Sequence, residues 1–432
     1  MSSAEQSKRT RTIGMPSAAA LVVANMIGAG VFTTSGFSLA DLGAREPVLL
    51  AWLVGGVLAL FGALSYAALA TRFPESGGEY LFLSRTIHPM AGFLAGWVSL
   101  LAGFTAPIAA AALGLQAYLA GSVEGNLRPE WLGTAAIALA GIMHGLRLRE
   151  GVWLQNFAVA LKLVLIFGFI GFGATMLPDS LPESSGFSGV RLDAFAVTLV
   201  WISFAYSGWN AAVYLAGEVR DPERNLPRSL VMGTLTVVVL YLGLNTVFLY
   251  AAPVSALAGK ANIGAIAAEA LGGVGLRRAV TGIVALALFT SISSMVMAGP
   301  RVYAKMAEDG LFPRLFRSDG EVPRAAIAAQ TLAAIAVLWT TTLASLFSYI
   351  GFTLGISAAT TVIGLIRLRI REGAEAVPIP GYPFIPVVFV VSTLGAAGFM
   401  VARQPAQAGL GLLTALAGIP IYLLLSRRRP QS

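Results

Sequence analysis

Cysteine is absent from all 432 residues, and histidine occurs only as His88 and His144. Without a thiol there is no disulfide, no thiolate metal site and no cysteine nucleophile. Two histidines near the ends of apolar segments are a poor basis for a histidine metal site. Charge is scarce as well. Asp, Glu, Lys and Arg make up 12% of the chain, against about 25% in a soluble protein. No Asp or Glu falls within the core of any long apolar run. A membrane-embedded enzyme needs a nucleophile with a base, or a metal cluster, and these runs supply neither. No enzymatic activity, metal or cofactor is expected.

What the chain has instead is apolar length. Hydrophobic residues reach 56% and the mean hydropathy is +0.77, which marks an integral membrane protein. At about 20 residues per crossing, twelve spans are predicted, at roughly 14–40, 48–71, 90–120, 131–146, 152–177, 194–217, 230–252, 279–303, 325–344, 346–366, 385–402 and 408–425. The basic residues fix an orientation. Of 29 Lys and Arg, 21 fall in loops on the N-terminal side, seven on the other, and Lys162 alone lies inside a span. The positive-inside bias therefore places both termini in the cytoplasm and the protein in the cytoplasmic membrane. The net charge of +8 reflects this topology rather than nucleic-acid binding. Residues 1–13 and 426–432 are expected to be cytoplasmic tails.

The first span carries Ile27-Gly28-Ala29-Gly30-Val31-Phe32, followed by Thr33, Thr34, Ser35 and Gly36. Two glycines and a polar cluster make a poor continuous helix. A helix break in lipid leaves backbone groups unpaired at several kcal/mol each unless they line a cavity or are buried in protein. The bland alternative is a close helix–helix contact. Five spans later, Phe204-Ala205-Tyr206-Ser207-Gly208-Trp209-Asn210 repeats the pattern. An odd repeat length inverts the second copy. The expected fold is all-α, with inverted five-helix repeats at 14–177 and 194–366, spans one and six discontinuous, and two further helices at 385–425. Lys162 sits roughly 15 Å deep at 1.5 Å per residue, too far for easy snorkelling, and is a functional candidate.

The span-six run with Glu218-Val219-Arg220-Asp221-Pro222 through Arg228 resembles the amino acid–polyamine–organocation superfamily, most of all its L-type amino acid transporter branch. Gly28–Phe32, Phe73-Pro74-Glu75-Ser76-Gly77-Gly78-Glu79-Tyr80, Ala307–Pro313 and Lys162 add to the likeness. The resemblance implies the leucine-transporter type of inverted repeat and alternating access. It implies that N–H groups of Gly28, Ala29 and Gly30 hold a substrate carboxylate, while carbonyls of Ile27, Phe204, Ala205 and Ser207 hold its ammonium. Phe204 would close over the substrate, with Trp209 and Asn210 nearby. Lys162 would stand where sodium-using relatives bind a cation, with Ser291, Ser293 and Ser294 as neighbours. A sodium-independent exchanger of small or medium neutral L-amino acids is expected, because no carboxylate is anticipated in the pocket. The alternative is a proton-coupled symporter or antiporter of cationic amino acids or polyamines. The loop Gly121–Glu130 lacks the cysteine that joins eukaryotic members to a heavy subunit, so no disulfide-linked partner is expected; a homodimer is compatible with the sequence. The partners are otherwise the amino acid and the bilayer.

Overall fold

The structure is a computed structural model that describes residues 13–120, 128–146, 150–179, 186–317 and 323–426. The expected tails and most of loop 121–130 lie outside these residues. Helices account for the described chain, and the one strand-like feature is an isolated bridge between Ile13 and Val219.

The chain opens with α1 (Met15–Met26), which has Pro16 in its first turn, and α2 (Ala29–Leu42). Proline suits that position because its missing N–H has no helical partner there. Ile27 and Gly28 leave helical geometry, and the two limbs meet at a 41° bend. Then come α3 (Arg45–Arg72), a short α4 (Gly78–Thr86) and α5 (Pro89–Leu119), which contains a π-helical turn at Ser99–Thr105. They are followed by α6 (Glu130–Gly145), α7 (Glu150–Thr175) and α8 (Leu192–Ala205). α8 stops at Ala205, and the chain runs through turns into a 3-10 stretch, Ala211–Glu218. The longer helices that follow are α9 (Pro222–Tyr250), α10 (Ile263–Glu308), α11 (Arg324–Thr340), α12 (Leu343–Glu372), α13 (Phe384–Arg403) and α14 (Pro405–Ser426).

Among the described residues, seven helices are long and apolar enough to cross a membrane, and the bent α1–α2 pair makes eight. The protein is thus a multi-pass membrane protein. Shorter apolar helices cover Ala160–Thr175, Leu192–Ala205 and Arg324–Thr340. Several helix ends differ from expectation, among them Pro222 of α9 and Glu372 of α12, and the largest difference is at α10. α10 begins at Ile263 rather than near 279, because its first two turns are joined to the rest across a kink at Gly272 and Gly273.

The two broken helices sit at the centre. α2 packs on α8, α1 and α3 both pack on α9, and α10 runs beside α5 and α7. α13 and α14 are peripheral: only 22% and 17% of their apolar windows are buried, against 56% or more in the other long spans. Apolar side chains left outside the bundle, such as Val391, Leu413 and Leu416, suit hydrocarbon, where a soluble protein would be penalised for them.

Candidate functional site

A cavity of about 400 Å³ lies between the two breaks. Gly28, Ala29 and Gly30 line it from α2, and Phe204 to Ala211 line it from the end of α8 and the turns that follow. Exposed Ser76, Glu218 and Arg301 line the mouth, so it opens toward the end of the bundle where the described chain begins at Ile13. That end is held by Ile13 N–H donating to the Glu218 carbonyl and Arg220 N–H donating to the Ile13 carbonyl. The opposite end is closed by rings: Phe204 lies 4.9 Å from Phe347, which meets Phe37 at 6.2 Å.

The break in the first span presents what a carboxylate needs. Gly28 is the N-cap residue of α2 and has extended dihedrals. The first N–H groups of a helix have no carbonyl partner within it, and they carry the positive end of its dipole. Gly28, Ala29 and Gly30 bring those groups to the cavity wall. The two glycines differ in function. A β-carbon on Gly28 would lie 3.2 Å from Ser291 Oγ, whereas one on Gly30 would fall 2.4 Å from Ala205 Cα. Gly30 therefore lets α2 touch the end of α8 backbone to backbone, which is the helix-packing role. In the second break, Gly208 has φ +98 and abuts the Asn25 backbone, a conformation open to glycine at little cost.

The carbonyls at the breaks are more engaged than the sequence implied. Lys162 is fully buried, and its Nζ donates to the Ala24 and Ile27 carbonyls at 3.4 and 3.3 Å. Its ammonium thus caps the C-terminal end of α1, where the helix dipole favours positive charge. The Tyr241 hydroxyl reaches the carbonyls of both Met26 and Ala205, the latter at 3.1 Å. The Phe204 carbonyl accepts from Ser207 N–H at 2.9 Å. Each carbonyl has two lone pairs, so Ile27, Phe204 and Ala205 each keep one acceptor position for an ammonium.

The three serines of α10 separate. Ser291 and Ser294 line the cavity, but the Ser293 hydroxyl lies 2.8 Å from His144 Nε2, across the contact with α6. At 100° per residue, neighbouring serines cannot share one helix face. Trp209 is buried between Tyr66, 4.6 Å away, and Phe389, 6.4 Å away. Asn210 lines the cavity and donates through Nδ2 to Glu79 Oε1 at 3.2 Å.

Glu79 overturns one expectation. A carboxylate does stand in the cavity wall. Hydropathy had assigned it to the loop after the second span, but α4 folds back beneath the bundle and leaves the residue 5% exposed. Oε1 also accepts from the Tyr66 hydroxyl at 2.6 Å, and Oε2 accepts from Ser357 Oγ at 2.8 Å. Burial pushes the Glu79 carboxyl up from the usual carboxylate range, and these hydrogen bonds pull against it. Tyr241 was equally invisible as a site residue. It reads as one more aromatic in an apolar run, and only the fold sets its hydroxyl between the breaks. The π-helical turn of α5, whose Ser99, Gly103 and Phe104 reach the cavity with Pro107 just beyond, had a partial signal in that proline.

Two broken helices around a central cavity, with a helix N-terminus and backbone carbonyls among its polar groups, define a membrane carrier of small polar solutes. Comparison with known proteins narrows the class. The family model described as amino acid permease matches residues 13–422, and the chain belongs to that family, within the amino acid–polyamine–organocation superfamily and near its L-type branch. It is an amino acid transporter and not an enzyme. It is 27% identical to the serine/threonine exchanger SteT of Bacillus subtilis (strain 168), over 97% of this chain and 98% of that protein. It is 26% identical to the human large neutral amino acids transporter small subunit 2, over 96% and 80% of the two chains. The human Asc-type amino acid transporter 1 is also 26% identical, over 96% and 82%.

Proposed function

We propose that the chain is a sodium-independent exchanger of small or medium neutral L-amino acids, working by alternating access across the cytoplasmic membrane. The observation that carries this is the pairing of unpartnered N–H groups at Gly28–Gly30 with break carbonyls across one cavity. That pair matches the carboxylate and ammonium common to every amino acid. A carboxylate at the head of α2 gains charge-assisted hydrogen bonds, each worth roughly 1.5–3 kcal/mol, without a cationic side chain. Lys162 supports sodium independence, since its ammonium already occupies the carbonyls at the end of α1. The relatives named above for serine, threonine and large neutral amino acids support a neutral substrate.

In this proposal the three shorter apolar helices and α6 complete twelve spans, residues 14–177 and 194–366 form the inverted repeats, and both termini lie in the cytoplasm. The cavity then faces inward, with Phe204 and Phe347 closing its outer end. Glu79 on the cavity wall favours the second possibility, proton-linked transport of cationic amino acids or amines. Its three neutral donors weigh against that role, because a cationic side chain would have to displace one of them.

A thermal-shift screen of purified protein against the twenty amino acids and several amines identifies the substrate. Proteoliposomes then identify the mode of transport. Uptake is expected only into vesicles preloaded with amino acid, and unchanged when choline replaces sodium. Strict sodium dependence, or uptake driven by a pH gradient into empty vesicles, overturns the proposal.

A further inference from the structure

Glu79 is the one buried carboxylate among the described residues, and the carboxylate and ammonium contacts of the proposed site leave it without a task. Its surroundings supply one. Its three donors come from three elements: Tyr66 from α3, Asn210 from the turns after the second break, and Ser357 from α12. The same loop reaches the chain beyond that break again, where Ser76 Oγ accepts from Gly217 N–H at 2.9 Å. Tyr66 also stacks edge-on against Trp209. Residues 206–218 thus lack a continuous helix of their own and are held by side chains at both ends. No Lys or Arg pairs with Glu79 among the described residues; it is an acceptor around which neutral donors converge.

The geometry points to Glu79 as a positioning residue that clasps α3, α12 and the chain beyond the second break, and so holds the cavity open toward the side of Ser76 and Arg301. This inference rests on the exchanger proposal for its consequence, because an exchanger must leave the state shown here in order to turn over. A clasp that stabilises one state shifts populations and leaves contacts to the substrate alone. Glu79 should therefore govern turnover and the accessibility of the cavity, with little effect on apparent affinity. A ligand of the substrate would do the reverse. Buried acceptors make a clasp cooperative, since losing one leaves several buried donors unpaired.

The cysteine-free chain provides a direct readout. Ala298→Cys places a single thiol on the cavity wall of α10, where a water-soluble maleimide can reach it through the open mouth. With Glu79→Ala, the labelling rate is expected to fall at least fivefold, and exchange kcat about tenfold, with KM within twofold. Glu79→Gln keeps the shape and an acceptor oxygen and should recover at least half of both. Ser357→Ala removes one arm of the clasp from a folded protein, as checked by size-exclusion elution, and should lower labelling and kcat about threefold. Unchanged labelling and kcat in Ser357→Ala and Glu79→Gln, with Glu79→Ala failing to fold, would make Glu79 merely structural and overturn the inference. A rise in KM at constant kcat would make it a substrate ligand and overturn it equally. If the parent protein exchanges no amino acid, the exchanger proposal fails, while labelling still tests the clasp.

Discussion

Gly28 and Gly30 stand one residue apart but face different neighbours, which makes their proposed roles separable by experiment. Gly28→Val puts a branched side chain where a carboxylate would approach and should weaken substrate binding at least about tenfold, or ~1.4 kcal/mol. Folding should be largely retained, because the nearest obstacle is the Ser291 hydroxyl. Ligand-induced thermal shift measures this, and undiminished affinity would remove Gly28 from the site. Gly30→Ala meets the Ala205 backbone instead. It should cost roughly 1–3 kcal/mol of stability by overpacking, seen as a lower unfolding midpoint with or without substrate. Lys162→Ala leaves the Ala24 and Ile27 carbonyls without their donor and should cut exchange at least about tenfold. A normal rate would make the lysine a bystander. These residues were legible in the sequence because each breaks a local rule: glycines inside a span, a charge inside lipid. Glu79 and Tyr241 break none. A carboxylate in a polar loop and a tyrosine in an apolar helix are ordinary until tertiary packing places them, so periodicity and composition could not find them.

At the scale of elements, the breaks matter more than the helices they interrupt. Both were foreseen from small and polar residues at mid-span depth, and both fall where expected, at Ile27–Gly28 and after Ala205. The outcome of the second was less legible. The chain does not resume a full helix but runs through turns into short 3-10 pieces within Ala211–Glu218, kinked at the non-helical Leu215. Short 3-10 pieces have poor hydrogen-bond geometry, and Ser76, Glu79 and Tyr66 hold this stretch from outside. The π-helical turn of α5 had only Pro107 as a sign, because the donors to its Leu100 carbonyl, Thr105 Oγ1 and the Tyr303 hydroxyl, come together only in the fold. Tyr241→Phe removes the hydroxyl shared by the two breaks. It should slow exchange several-fold and lower stability by about 1–3 kcal/mol, the usual cost of an orphaned buried acceptor. Parallel measurement of exchange rate and unfolding midpoint would show both losses, and a variant indistinguishable from the parent in both would refute the link.

For the whole molecule, the charge distribution predicts a direction that can be read on intact cells. Single cysteines at Ser255, exposed beyond α9, and at Ser76, at the mouth of the cavity, lie on opposite sides. A membrane-impermeant reagent added outside should label Ser255→Cys and spare Ser76→Cys; the reverse pattern would invert the topology. On the Ser255 side, Arg403 donates to both oxygens of Asp41 at 3.1 Å and stands 3.6 Å from Asp193, joining the far ends of α2, α8 and α13. These groups are partly exposed, so the cluster should be sensitive to salt and worth little at high ionic strength. The deepest coupling runs through Tyr241 instead. A phenol has one proton, yet two carbonyls claim it, one from each break. In the empty carrier one of them must always wait. When an ammonium arrives it can serve the waiting carbonyl at once, and the hydroxyl needs only to turn toward the other. In the proposed exchanger, loading and unloading become a trade of donors between the two breaks, and an acceptor waits only while the carrier is empty.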